Sequence, residues 1–335
     1  MVLVGHLTDQ WQIGTYAVFA FYIISGYLMT TLMQQSYGYQ AAGVRDFMLN
    51  RLLRLYPSYW AVIALTLLAI ALIGADFASA YNKLIVVPNS FGEWLGVLGM
   101  VYIGWFPNQV SPNLAPTTWA ITVELFFYVC IALGLSKTRL RVYCWLTASV
   151  GYVIYCQVAA LDWPHKYFPI PAASLPFAIG AYIYFLRQDS TAPLTSNWIT
   201  APWFRLTLLL ANAATTLYIP MYFQTGFYVS LLLSIVLCFE LAMERRWPGW
   251  IGERLDKAIG DYSYPIYLMH WQVGMVVAYL LYGTAFQARS TEGWIITGVS
   301  ALACFAIAWL LLVCIDKPVQ RIRARIKAGR AAQLH

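Results

Sequence analysis

Charge is what this chain has least of: Asp, Glu, Lys and Arg make up only 10% of its 335 residues, against roughly one quarter in a soluble globular domain. With 61% hydrophobic residues, that scarcity excludes a fold solvated mainly by water and leaves lipid as the principal solvent. A cysteine pairing pattern is missing too. Cys130, Cys144, Cys156, Cys238, Cys304 and Cys314 all fall inside apolar runs, with no CxxC and no His/Cys spacing, so neither a disulfide framework nor a bound metal is expected. No P-loop or GxGxxG stands between strand and helix, which argues against an ATPase or a dinucleotide enzyme. The apolar start Met1–Leu7 lacks the charged beginning and small-residue cleavage site of a signal peptide. With no internal repeat, low-complexity tract or second soluble domain, residues 1–335 read as one transmembrane domain.

What is present is long apolar runs. Nine segments, about 14–33, 57–75, 118–135, 142–161, 169–186, 204–220, 222–243, 261–283 and 294–315, approach the ~20 residues that a bilayer requires. Fourteen Trp and 24 Tyr suit aromatic belts at the two interfaces. Segment 91–107 is apolar but short, broken by glycine and ended by Pro107. If it does not cross, all of the 21 Lys/Arg except Lys83, Lys166 and Arg289 share one face, as the positive-inside rule prefers. The expectation is therefore an all-α polytopic bundle of about ten helices, counting a first one truncated to Met1–Leu7, with both termini cytoplasmic. Residues 77–117 become an outward-facing, partly re-entrant region, and 316–335 a basic cytoplasmic tail. The net charge of +7 follows from this loop bias, and no nucleic-acid partner is expected.

Few ionisable groups lie inside the apolar runs, and those that do are functional candidates because burying them in a bilayer is costly. Glu124 sits about six residues, or roughly 9 Å at 1.5 Å per residue, below the outer end of its span. It is equally a candidate for a structural helix–helix bond. His270 shares a helix face with Tyr264, Tyr267 and Trp271, and a hydrogen bond to a neighbouring backbone would account for it as well as catalysis would. His6, if its helix runs outward, falls in the depth band of Glu124, which pairs a base with an orienting acid. Asp9 is an alternative partner for it. His165 and His335 have no assigned role. In Arg51-Leu-Leu-Arg54-Leu-Tyr-Pro57 the two guanidiniums are three residues apart and share a helix face at the membrane boundary, where they can grip one phosphorylated ligand, anchor the span or touch anionic lipid.

Five stretches taken in order resemble the acyltransferase 3 family of membrane proteins, many of which O-acetylate surface polysaccharides. They are Phe21-Tyr-Ile-Ile-Ser25-Gly26-Tyr-Leu-Met, Arg51 to Pro57, Trp119 to Tyr128, Ser263 to His270, and Asp316-Lys-Pro318. The resemblance implies an O-acyltransferase that takes an acyl group, acetyl first of all, from acyl-CoA on the cytoplasmic side. The acceptor would be a hydroxyl of a carbohydrate or lipid-linked sugar. It makes His6 the base, with Glu124 orienting the imidazole or the acceptor, His270 alongside, and Tyr128 and Trp119 as oxyanion donors. Arg51 and Arg54, with Ser25 and Tyr267 from the matching motifs, belong to the donor side. In the family ten residues separate an Arg from that His, and the Arg would fall ahead of Met1, so an inactive short form is one alternative. Ala120 and Phe19 also depart from the family's usual Ser and Asp. A carrier for a lipid-linked sugar or small anion, using the His and Glu as a proton relay, is another reading. With no appended esterase-like domain in these residues, the bundle itself is expected to complete the transfer in a bacterial inner membrane.

Overall fold

The structure, a computed structural model, describes residues 2–9, 11–102, 113–189, 202–218, 223–243 and 253–331. Residues 103–112 of the outer region, Arg245 and His335 lie outside them. Among the described residues there are helices and connections but no strand. Each of the nine apolar segments lies largely or wholly on one helix: α2 (Trp11–Leu32), α3 (Ala41–Ile73), α6 (Thr118–Ala132), α7 (Arg139–Val158), α9 (Ile170–Asp189), α10 (Pro202–Tyr218), α11 (Phe223–Met243), α12 (Glu253–Tyr282) and α13 (Thr291–Leu311). Shorter helices are α1 (Val2–Leu7), α4 (Ala75–Tyr81), α5 (Phe91–Gly99) and α8 (Trp163–Tyr167), and α14 (Lys317–Ala331) ends the described chain. Five helical stretches are long and apolar enough by composition to cross a membrane: Gly14–Tyr37, Ala41–Ile73, Trp163–Asp189, Gln224–Ala242 and Thr291–Gly329. The expected ten-helix count is therefore met only in its coarser form, an all-helical protein with several membrane-length helices. The first nine residues of α12, Glu253–Asp261, are too polar in sequence to count toward a membrane span.

The second expected span is longer than its apolar run. α3 begins at Ala41, sixteen residues before Pro57, and continues through that proline without a break. Pro57 lacks the N–H that would bond the preceding turn, but a helix tolerates this where neighbours cover the freed carbonyl. The extra turns carry Asn50, Arg51 and Arg54 away from the span on one continuous rod. A comparable extension follows α13, where a π-helical turn at Leu312–Asp316 joins it to α14. Such a turn inserts one residue per ladder step and re-aims the side chains beyond it.

α2 packs along α9, α11, α1 and α6, while α12 packs on α13, α3 and α1. The closest crossing is between α2 and α9. A β-carbon on Gly26 would lie 2.2 Å from the Phe177 carbonyl oxygen, and one on Gly180 would lie 2.0 Å from that of Ile23. Only hydrogen fits at either point, so the two backbones touch, as small residues allow in membrane bundles. That contact fixes the azimuth of α2 and turns Ser25, the neighbour of Gly26, toward α6.

α5 is nine residues long, about 13 Å, and so too short to cross a hydrocarbon core of about 30 Å. Its C-terminal carbonyls lack partners further along the helix, and each needs a donor. Tyr59 donates to Val97, Trp60 Nε1 to Leu98 at 3.0 Å, Tyr56 to Gly99 at 2.5 Å and Thr122 to Met100 at 2.8 Å. α3 and α6 thereby clamp the outer segment. Gly26→Ala is expected to destabilise the protein by about 1–3 kcal/mol through overpacking, seen as a lower unfolding temperature in detergent. Gly151→Ala, in α7 with open space around it, should leave stability unchanged or raise it by roughly 0.5–1 kcal/mol.

Candidate active site

His6 and His270 are 264 residues apart in the chain, and α1 and α12 bring them into contact. His6 Nδ1 lies 2.8 Å from His270 Nε2. The rings stack with centroids 5.1 Å apart, and His6 also stacks on Trp271 at 4.9 Å. His270 is 1% exposed. Its Nδ1 faces only backbone carbonyls, those of Tyr267 at 2.9 Å and Ile266 at 3.2 Å. A carbonyl accepts and never donates, so Nδ1 of His270 carries a proton. In the neutral ring Nε2 is then an acceptor, and His6 must donate to it from Nδ1. The remaining nitrogen of His6, Nε2, has no hydrogen-bond partner among the described residues, and its lone pair is left free. A protonated His270 would reverse the donor, but it would bury a cation with no carboxylate among its described partners, which is costly.

The free nitrogen faces Gly14 on α2. A β-carbon there would stand 3.0 Å from His6 Nε2, so the glycine leaves the room that the lone pair opens into. Asp9, the alternative partner for His6, is exposed and held in a left-handed turn with φ 56°. It makes no hydrogen bond to His6. The hydrogen-bond partner of His6 is thus His270, and no hydrogen bond joins His6 to Glu124, which was expected to orient either the imidazole or the acceptor.

Glu124 is 2% exposed. Its Oε1 accepts from Ser25 at 2.5 Å and from Tyr128 one turn along α6. Two hydroxyl donors thus stabilise Oε1, while neither of them reaches Oε2. Thr117, seven residues before Glu124, shares its face of α6 and lies roughly 10 Å away along the axis. There Thr117 Oγ1 donates to the Tyr267 carbonyl and Tyr267 donates to the Thr117 carbonyl, both at 3.1 Å. The Tyr267 hydroxyl therefore ties α12 to α6 beside the histidine pair. Trp119 packs edge-on against Tyr167 and Phe168 in an aromatic group. Phe19 belongs to that group, stacked on Tyr167 at 5.4 Å and edge-on to Phe227 at 4.8 Å.

Past Tyr128, its ring meets Phe47 at 6.3 Å, and the Arg51 guanidinium stands 5.8 Å over that Phe47 ring. Arg51 donates to Asn50 at 2.8 Å, and Arg54 lies 5.8 Å over Tyr264. Polar and aromatic groups thus lie in two sets along the bundle, about 10 Å apart on α6. One is the imidazole pair with Thr117 and Tyr267; the other is Ser25, Glu124 and Tyr128, which leads through Phe47 to the guanidiniums. Trp271, Gly14 and Asn50 belong to these sets although the sequence does not single them out for this. Trp271 is one of three aromatics at helical spacing around His270, the only one of these signals that could be read in advance.

A family model described as an acyltransferase domain, of the acyltransferase 3 type, matches residues 1–313. The chain is 23% identical over 305 residues to a Bacillus subtilis (strain 168) protein provisionally named peptidoglycan O-acetyltransferase YrhL, a match covering 81% of this chain and 46% of the relative. It is 23% identical over 327 residues to a Staphylococcus aureus (strain COL) protein provisionally named an O-acetyltransferase, covering 81% and 48%. It is also 25% identical over 316 residues to a Komagataeibacter xylinus protein provisionally named membrane-bound transacylase BcsY, covering 91% and 76%. The chain spans about half the length of the first two relatives. No solved structure matches it. With its apolar membrane-length helices and a match over most of its length, this integral membrane protein belongs to the acyltransferase 3 family.

Proposed function

We propose that the protein is a membrane O-acyltransferase that moves an acyl group, acetyl first of all, from acyl-CoA to a hydroxyl of a carbohydrate or lipid-linked sugar. The observation that carries this reading is the unbonded Nε2 of His6, a neutral base set by a second histidine, in a bundle whose second polar set leads to a guanidinium cluster. The relatives' names, with peptidoglycan O-acetylation and transacylation among them, are in keeping with the acyl chemistry and the acceptor class. The distribution of Lys and Arg supports an inner-membrane orientation with both termini and the guanidiniums cytoplasmic and the 77–117 region outside.

In this reading the CoA phosphates dock on Arg51 and Arg54, and the pantetheine arm follows the two sets upward. Glu124 Oε2, to which neither Ser25 nor Tyr128 donates, accepts an N–H or O–H of the bound substrates. His6 Nε2 takes the proton of the acceptor hydroxyl as its oxygen attacks the thioester carbonyl. The C–O bond forms, and the positive charge gained by His6 strengthens its Nδ1–H bond to His270. Collapse breaks the C–S bond, and the proton on Nε2 passes to the departing sulfur, giving the ester and free CoA. Hydroxyl or indole donors such as Tyr128 and Trp119 are candidates to steady the oxyanion. His270 acts as a positioning residue, since it touches His6 and not the reacting atoms.

Thioester loss by the protein in lipid discs, with ester appearing on a carbohydrate acceptor, tests the activity. Movement of a sugar with no thioester consumed would replace it with a carrier. His6→Ala should lower turnover by about 10²–10⁴-fold, and retention of full transfer would remove His6 from the mechanism. His270→Asn, whose amide oxygen can still accept from His6, should retain about tenfold more activity than His270→Leu, which cannot select the tautomer. Equal loss in both would mean that His270 serves packing alone. Gly14→Val, which crowds Nε2, should cut kcat by at least about tenfold with the KM for acyl-CoA unchanged. A rise in KM alone would place that space on the donor path instead.

A further inference from the structure

Asn50 holds two arginines that the chain sets far apart. Its Oδ1 accepts from Arg51 Nη2 at 2.8 Å and from Arg323 Nε at 3.1 Å, and its Nδ2 returns a bond to the Arg323 carbonyl at 3.0 Å. Asn50 itself is 3% exposed, whereas Arg51, Arg54 and Arg323 are half-buried. Arg323 lies on α14, beyond the residues the family model matches, and the π-helical turn at Leu312–Asp316 directs that helix back along α3.

No carboxylate pairs directly with the cluster, although Asp316 acts on Arg54 and Arg323 through space. Among the described residues none of these three guanidiniums forms an ion pair. Of the neighbouring carboxylates, Asp46 pairs with Arg45 and Asp261 accepts from Gln320, while Asp316 accepts from Ser58 through Oδ1 at 2.6 Å and keeps a buried Oδ2 without a hydrogen-bond partner, at no ion-pair distance from the three arginines. Arg51 Nε is buried without a hydrogen-bond partner. Drawing two like charges onto one neutral oxygen is repulsive, and a buried guanidinium nitrogen left unbonded adds desolvation cost. Both penalties fall when a multivalent anion enters, because a guanidinium matches phosphate oxygens in a fork. Exposed arginines that only anchor a span would need neither the shared asparagine nor the return bond to the α14 backbone.

We propose that Arg323 of α14 is a phosphate-binding residue that joins Arg51 and Arg54 in one site for the phosphates of acyl-CoA. The proposal rests on the acyltransferase reading and extends its donor site into the C-terminal helix. The shared chemistry is a phosphate ester, which either CoA or an anionic lipid headgroup could supply.

The test uses the full chain in discs of neutral phosphatidylcholine, with and without added phosphatidylglycerol. In neutral discs Arg323→Gln should weaken CoA binding about tenfold and raise the KM for acetyl-CoA to match, with kcat and unfolding temperature unchanged. Arg323→Lys, which keeps the charge but loses the fork, should recover only part of the affinity. The KM for acetyl-pantetheine, which has no phosphate, should not move, whereas a merely structural role for Arg323 would shift it as well. The inference is overturned if Arg323→Gln binds CoA as the parent does while Arg51→Gln does not, an outcome that leaves the acyltransferase reading intact. It is also overturned if phosphatidylglycerol stabilises the parent but not Arg323→Gln while CoA affinity is equal in both, since the occupant is then lipid. Failure of the parent chain to bind CoA in any disc would overturn the acyltransferase reading itself, and this inference with it.

Discussion

The site depends on one hydrogen bond, from His6 Nδ1 to His270 Nε2 at 2.8 Å. The backbone carbonyls behind His270 fix its proton on Nδ1, and that choice propagates through the shared bond to determine which nitrogen of His6 is basic. In the proposed mechanism this is the logic of a catalytic triad with a neutral ring in the place of the acid. A neutral orienting partner suits an apolar bundle, because it selects the tautomer without requiring a permanent buried charge.

Packing supports that bond from both sides. Trp271 stacks on His6, and Thr117 and Tyr267 exchange hydrogen bonds that hold α12 against α6. The contact of α2 with α9 through Gly26 and Gly180 sets Ser25 against Glu124 and carries Gly14, on the same α2, past His6. Substitutions in α9 thus reach the site through helix placement, without touching any reacting group.

Much of the architecture was legible because burial in lipid writes itself as uninterrupted apolar length. Each predicted span coincides largely or wholly with one helix. The run 57–75 understated α3, since the turns from Ala41 onward are amphipathic and a proline within a long helix reads as a boundary when only the sequence is seen. Among the site residues, the rarity of ionisable groups inside spans was enough to single out His6, Glu124 and His270. Their pairing was not readable. Depth along a helix predicts which residues lie at one level, but not which faces meet, so His6 was matched to Glu124 when its partner is His270. Asn50 and Arg323 were hidden for a related reason. An asparagine in a polar stretch and one arginine among many in a basic tail carry no periodic signal, and only the docking of α14 on α3 brings them together.

The tautomer of His6 is the most direct check on this account. With histidine labelled by ¹⁵N in the membrane-embedded protein and His6 identified by comparison with His6→Ala, the account predicts a neutral ring protonated at Nδ1 and unprotonated at Nε2. Signals showing the proton on Nε2 of His6, or no coupling between the two imidazoles, would contradict it.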